Sequence, residues 1–131
     1  MNKFCKSVAD VLEVDEVTPE TKFRETEDWC SLMAFGLLVM MENDFHAPVT
    51  IERFMTFETV RDLYREAFCA LAATVFGASI DDVRTAQHGS IPQWDSVNHL
   101  RLVMEAEERF GVSYPLERIP QLRTIDDFMA S

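Results

Sequence analysis

The chain has 131 residues, 47% of them hydrophobic, and a formal net charge of −11 from 12 basic and 23 acidic residues. This length allows one ordinary domain or two very small ones, each with a thin core. Nucleic-acid binding needs clustered Lys and Arg to neutralise phosphates, so the charge balance argues against nucleic acids and favours basic partners.

The first predicted element is a helix at about residues 3–13. It lies in the segment MNKFCKSVADVLEVDE, which turns acidic early and lacks a long apolar core, so no signal peptide is predicted. Cys5, Cys30 and Cys69 are odd in number and widely spaced, which suits neither a disulfide framework nor a zinc site. We therefore expect a reducing compartment, the cytoplasm, and no metal.

A second helix is predicted at about residues 31–44, after a loop in which Thr18-Pro19 marks a turn. Its stretch SLMAFGLLVMM is apolar all round, yet it is too short to span a bilayer and is interrupted by Gly36. A helix of this kind is normally covered on all sides. We expect this surface to contact the second half of the chain, a second copy of the chain or a partner enzyme. The alternative is a monomeric domain that leaves this apolar surface exposed.

The later elements repeat the earlier ones at a shift of about 65 residues. Trp29-Cys30-Ser31-Leu32 aligns with Trp94-Asp95-Ser96-Val97, Phe45 with Phe110, and Thr59-Val60 with Thr124-Ile125. Thr59 with Asp62, and Thr124 with Asp127, have the spacing in which a threonine caps a helix and the acid reaches back to it. Each copy is predicted to contain a helix, a long loop, a longer helix, a short helix or turn and a final helix, without strands.

The junction of the two copies has no break. The segment TVRDLYREAFCALAATVF contains neither Gly nor Pro, so the last helix of the first copy can run straight into the first helix of the second. We place the domains at residues 1–66 and 67–131. In the second copy, helices are predicted at about residues 67–76 and 96–109, with an irregular loop between them.

Ser96 is placed where the N-cap of the helix at 96–109 belongs. Asp95-Ser96 is either a cap alone or an attachment point for a phosphodiester, which a helix N-terminus stabilises. A nucleophilic serine would need a base held by a third group. His99 lies three residues further on, but no glycine-rich elbow accompanies it, so we expect no catalytic residue and place His99 at the edge of the core.

The same helix has two apolar sectors. On a helical wheel, one side forms the core-facing stripe: Leu102, Val103, Ala106 and Phe110. A second arc, which also holds Glu107, adjoins the serine: Val97, Leu100 and Met104. A helix packed on one side does not need so broad an apolar surface, so we expect a partner to contact it.

A family resemblance follows from these motifs. Trp94-Asp95-Ser96-Val97, followed by LRLVMEAEERFGV and by Leu122-x-Thr124-Ile125-x-Asp127-Phe128, resembles the acyl and peptidyl carrier proteins. The resemblance implies an all-α fold of two four-helix bundles in tandem, which a continuous helix could join. It implies that Ser96, with Asp95 as its motif neighbour, receives a 4′-phosphopantetheine arm from coenzyme A through a phosphopantetheinyl transferase. The arm's thiol would then carry acyl or aminoacyl groups between loading and chain-processing enzymes.

The first copy resembles the family less closely. Ser31 aligns with Ser96 and is a second candidate attachment site, but Cys30 stands where the family motif has aspartate, which argues against its modification. Family carriers commonly dock through acidic residues on this helix, whereas here Asn98 and Arg101 occupy its early part, so apolar contacts should matter more. The predicted partner-binding residues are Val97, Leu100, Met104, Glu107, Glu108, Leu32, Met33, Phe35 and Val39.

Three functions remain open from the sequence. The first is a tandem carrier that shuttles thioester-bound intermediates and catalyses nothing itself. The second is one working carrier fused to an unmodified, carrier-like docking or dimerisation domain, with self-association through the helix at 31–44. The third is a helical interaction adaptor without an arm.

Overall fold

The computed structural model describes residues 3–130. Residues 1 and 2 of the first predicted domain and residue 131 of the second lie outside the described range. The α-helices are α1 (Lys3–Leu12), α2 (Ser31–Phe45), α3 (Ile51–Phe54), α4 (Val60–Phe76), α5 (Ile80–Arg84), α6 (Ser96–Phe110) and α7 (Ile125–Met129), with 3₁₀ helices at Phe23–Glu25 and Leu116–Gln121. Residues 3–130 contain no strand, only isolated β-bridges between Lys22 and Thr59 and between Gln87 and Thr124. The predicted all-α fold is confirmed.

Backbone contacts divide the chain into two units, of which the first ends at Ala67 and the second begins at Phe68. Helix α4 crosses this division without interruption. Its sequence contains neither Gly nor Pro, so no residue in it breaks the ladder of backbone hydrogen bonds.

The core of the first unit forms around aromatic side chains from three helices. Phe4 of α1 packs on Phe45 of α2 with ring centroids 4.9 Å apart and on Tyr64 of α4 at 5.2 Å. Helix α1 is amphipathic and buries one face made of Phe4, Cys5, Val8, Ala9 and Leu12. Helices α1 and α2 approach closely at Gly36, where an added Cβ would lie 3.0 Å from Cγ1 of Val11.

The core of the second unit is a larger aromatic cluster. Phe68 stacks on Phe110 at 5.2 Å and packs against Phe128 at 5.5 Å, while Phe76 packs against Trp94 at 5.0 Å. The core-facing stripe predicted on α6 is buried, which confirms the helical-wheel assignment: Leu102, Val103, Ala106 and Phe110.

The predicted threonine caps are present in both units. In α7, Thr124 accepts a hydrogen bond from Asp127 N at 3.1 Å, and Oδ2 of Asp127 accepts one from Thr124 N at 3.1 Å. The pKa of Asp127 lies below its ordinary value, chiefly because the backbone N–H of Arg123 donates to its carboxylate. In α4, Oδ2 of Asp62 accepts from Thr59 N at 3.1 Å in the same way.

Helix α5 corrects the prediction of an irregular loop after residue 76. Oγ of Ser79 accepts a hydrogen bond from Asp82 N at 3.2 Å, which caps the helix. Val83 is the buried residue of α5. The serine with an acid three residues on is the sequence signal that could have located α5.

Candidate functional site

Ser96 is the first residue of α6, and its side chain is exposed. The N-cap is Asp95, whose Oδ1 accepts a hydrogen bond from Asn98 N at 2.9 Å. The prediction that Ser96 is the N-cap was therefore wrong. With Ser96 as the cap, the helix would begin at Val97, whereas it begins at Ser96 itself. Since Asp95 satisfies the helix end, the Ser96 hydroxyl is not needed for capping.

Behind Ser96 the chain is anchored by a buried tryptophan. Trp94 has no exposed surface, and its Nε1 donates a hydrogen bond to Nδ1 of His99 at 3.0 Å. Since Nδ1 accepts this bond, the proton of a neutral ring lies on Nε2, which is 3.1 Å from the carbonyl oxygen of Ile119 and donates to it. Both ring nitrogens of His99 are thus occupied.

His99 lies in the core, not at its edge as predicted from the sequence. Its side chain is 4% exposed because Trp94 and Ile119 satisfy both of its polar atoms within the unit. Burial lowers the pKa of His99, which keeps the ring neutral near pH 7. His99 therefore has no nitrogen available to deprotonate Ser96, and among residues 3–130 no cluster of His, Cys, Asp or Glu could hold a metal ion.

The outer face of α6 carries the α6 stripe, defined as Val97, Leu100 and Met104. All three side chains are exposed, and Val97 is 68% exposed although it directly follows Ser96. Of the two predicted acidic contacts, Glu108 is exposed, whereas Glu107 is half-buried and its Oε2 accepts a hydrogen bond from Tyr114 N at 2.9 Å. Glu107 thus holds the segment after α6 with one of its carboxylate oxygens.

Ser31 occupies the equivalent place in the first unit. It is the first residue of α2 and is exposed. The N-cap position is held by Cys30, which has an extended backbone but makes no side-chain hydrogen bond to the helix. Trp29 is half-buried and packs on Phe23 at 5.6 Å. The two serines thus share position and exposure, while the cap beside them differs.

The α2 stripe, defined as Leu32, Phe35 and Val39, has the same spacing as the α6 stripe. Phe35 is 64% exposed, Leu32 and Val39 are also exposed, and the fourth predicted contact, Met33, is half-buried. Residues at positions i, i+3 and i+7 lie along one side of a helix. Each exposed serine is therefore followed by one exposed apolar ridge.

The sequence did not single out three further exposed apolar residues: Ile51, Leu116 and Met55, which is 66% exposed. Ile51 is the first residue of α3, and Leu116 is the first residue of the second 3₁₀ helix; they are 68% and 82% exposed. They align with each other at a shift of 65 residues, so the repeat itself was the signal that could have found them.

Both serines fit a covalently attached phosphodiester. Each hydroxyl is exposed at the start of a 15-residue helix, where backbone N–H groups and the helix dipole favour a phosphate. Within the described range, neither serine side chain is part of the core. An enzyme that attaches such a group can reach either oxygen without unfolding the unit.

Comparison with known proteins identifies one family. Residues 2–67, half of the chain, match the family model described as a phosphopantetheine attachment site. The matched range contains Ser31 and covers the copy that lacks the motif aspartate. No curated protein and no solved structure gives a significant match. In the part of the chain that the structure describes, no helix is long and apolar enough to cross a membrane.

Proposed function

Because the chain belongs to the phosphopantetheine-attachment family of acyl and peptidyl carrier proteins, we propose that it is a tandem carrier with attachment sites at Ser96 and Ser31. In this family the domain bears a covalent 4′-phosphopantetheine, and its members are generally not catalysts. The proposed domains are residues 1–66 and 67–131. The arm, when attached, supplies a thiol that carries acyl or aminoacyl groups as thioesters.

One observation carries the assignment of Ser96. Asp95 caps α6, and the adjacent residue Ser96 is exposed and does not serve as the cap. His99, the histidine closest along the chain, has both nitrogens in hydrogen bonds, so the base for the attachment reaction must come from the transferase. This chain supplies the exposed hydroxyl oxygen of Ser96, and the transferase catalyses the attachment reaction.

The assignment of Ser31 has separate support. The family match covers Ser31, and Ser31, like Ser96, is the exposed first residue of a 15-residue helix. Cys30 replaces the capping aspartate, and Ser31 is nevertheless exposed. We therefore assign Ser31 as the second attachment site.

The proposed partners are a phosphopantetheinyl transferase and the enzymes that load and process the cargo. We place their contact on the α2 and α6 stripes, which run from the serines along exposed helix faces. Glu108 adds an exposed carboxylate at the far end of α6. None of the three cysteines is in a disulfide, which supports a reducing compartment such as the cytoplasm.

A second candidate function is a single carrier fused to an unmodified docking domain. It is favoured by the missing cap at Cys30 and by an α2 that has no charged residue before Glu42. In that case only Ser96 bears an arm, and the α2 stripe serves for association.

Intact mass measurement distinguishes these functions. We expect two arm-sized mass increments after coexpression with a phosphopantetheinyl transferase of broad specificity, because both serines are exposed. Ser96→Ala and Ser31→Ala should each remove one increment. A single increment that only Ser96→Ala removes indicates the docking-domain function. Absence of any increment with several transferases contradicts the carrier function and leaves the adaptor.

A further inference from the structure

The second unit contains a stacked pair of histidines beside the candidate attachment site. The rings of His88 and His99 lie 4.3 Å apart with an angle of 9° between their planes. His99 is buried on α6, three residues after Ser96, and His88 is half-buried in the loop that precedes α6. Two neutral imidazoles can stack in this way, whereas two imidazolium rings at this distance repel each other.

His99 links three segments of the unit. Its Nδ1 accepts the hydrogen bond from Trp94, two residues before Ser96, and its Nε2 donates to Ile119 in the 3₁₀ helix Leu116–Gln121. The loop is tied in further by His88 N, which donates to the carbonyl oxygen of Arg123 at 2.7 Å. One neutral ring therefore joins the loop before Ser96, the first turn of α6 and the 3₁₀ helix.

The first unit lacks this linkage and so provides an internal reference. At the shift of 65 residues, Ala34 stands in place of His99 and Phe23 in place of His88. Trp29, the counterpart of Trp94, is half-buried and packs on Phe23. An effect that depends on protonation of the His88–His99 pair should therefore appear at Trp94 and not at Trp29.

We propose that His99 is a positioning residue for Ser96, whose neutral ring holds Trp94 and the 3₁₀ helix in place and whose protonation releases them. The part of this inference that concerns arm attachment rests on the proposed function; the release itself does not. The step is the uptake of one proton from solvent at Nδ1, which forms an N–H bond and needs no other reactant. Once protonated, Nδ1 can no longer accept the hydrogen bond from Trp94, so two N–H groups face each other.

The surroundings of His99 determine the pH range of the release. Burial lowers its pKa below the ordinary value of 6.5, and electrostatic interaction with His88 on the loop and Arg123 after the 3₁₀ helix lowers it further. The hydrogen bond to Ile119 acts in the opposite direction, and the neighbour from α7 is the uncharged ring of Phe128, 5.5 Å away. Because the folded pKa is depressed, the linkage is intact above pH 6.5 and is lost as the pH falls through the folded pKa.

The indole N–H resonances of the two tryptophans test the release on the unmodified full-length protein. We expect the Trp94 resonance to titrate as the pH falls below 6.5, with the released population rising by about tenfold per pH unit, the limit for uptake of one proton. The amide of Asn98, which Asp95 caps, should follow the same curve, because the start of α6 loosens with the loop. The Trp29 resonance should stay unchanged.

Two variants separate positioning from a merely structural role. His99→Gln can still accept from Trp94 and donate to Ile119 but does not titrate, so it should keep the high-pH spectrum at every pH. His88→Gln removes the electrostatic interaction that lowers the pKa of His99, so the Trp94 titration of this variant should move to higher pH. A Trp94 resonance that titrates identically in wild type and His99→Gln overturns the inference, as does one that does not titrate at all in wild type down to the pH of global unfolding.

The rate of arm attachment at Ser96 links the release to function. Comparing wild type with His99→Gln at each pH cancels the transferase's own pH dependence. We expect equal rates at pH 8 and, at the midpoint of the Trp94 titration, a wild-type rate that is lower by about the fraction of released protein. Equal rates at that midpoint overturn the positioning role. If neither protein is modified, the proposed function fails while the indole titration still decides the release.

Discussion

At the scale of single residues, the cap beside each serine is the main difference between the two candidate sites. Asp95 accepts a hydrogen bond from Asn98 N, whereas Cys30 at the same position accepts none from α2. An aspartate at an N-cap stabilises a helix by about 1 kcal/mol relative to a residue that cannot cap. The start of α6 should therefore be held more firmly than the start of α2.

Exchanging these caps should change stability in opposite directions. We expect Asp95→Ala to lower the unfolding free energy of the second unit by about 0.5–2 kcal/mol and Cys30→Asp to raise that of the first by a similar amount. Urea titrations followed separately at the Trp94 and Trp29 indole resonances measure each unit. Asp95→Asn, which retains a capping oxygen, and Cys30→Ala, which removes none, are the controls and should change little. Equal effects of Asp95→Ala and Asp95→Asn would show that the cap contributes nothing.

At the scale of helices, Gly36 sets how closely α1 and α2 pack. An added Cβ would lie 3.0 Å from Cγ1 of Val11, so the side chain of Val11 must move to accept it. Glycine in a helix interior costs about 1 kcal/mol relative to alanine, a cost that the close contact between helices offsets here. The pattern SLMAFGLLVMM predicts a helix but does not reveal this contact, which depends on where α1 lies.

A double-mutant cycle measures this contact. Gly36→Ala alone should raise the unfolding free energy of the first unit by less than about 1 kcal/mol, or lower it, because the gain in helix propensity is opposed by the contact with Val11. In a Val11→Ala background the same change should give the full gain of about 1 kcal/mol. Additive effects of the two substitutions would mean that Val11 does not constrain position 36.

At the scale of the whole molecule, both units expose an apolar stripe on a strongly acidic protein. The net charge of −11 disfavours association between copies, yet α2 carries no charge from Ser31 to Met41. An uncharged face is where copies of such a protein can meet with the least repulsion. On α6, by contrast, Arg101 and Glu105 are exposed beside the stripe.

Self-association should therefore depend on α2 and increase with salt. We expect sedimentation equilibrium to show association that strengthens as ionic strength rises, because salt screens the repulsion between copies of charge −11. Phe35→Glu should weaken this association, since it places a charge on an exposed residue of the α2 stripe. Leu100→Glu, the matched change on α6, should alter it much less. Equal loss in both variants, or association that falls with salt, would exclude the α2 stripe as the contact.

By itself the sequence determined the longer helices and the family, but not the short helix α5. Periodicity located α1, α2 and α6, and the T-x-x-D spacing predicted the caps at Thr59 and Thr124, because these signals arise from residues close together in the chain. The position of Ser96 at a helix start follows from the same local pattern.

The tertiary structure decided what those residues contact. His99 was expected at the edge of the core and is buried, because Trp94 and Ile119, brought together by the fold, satisfy its two nitrogens. The role of Glu107 in holding Tyr114, and the close approach of Gly36 to Val11, likewise involve partners that no local pattern specifies. Local spacing encodes helices and caps, whereas burial and hydrogen-bond partners depend on which distant segments the fold packs together.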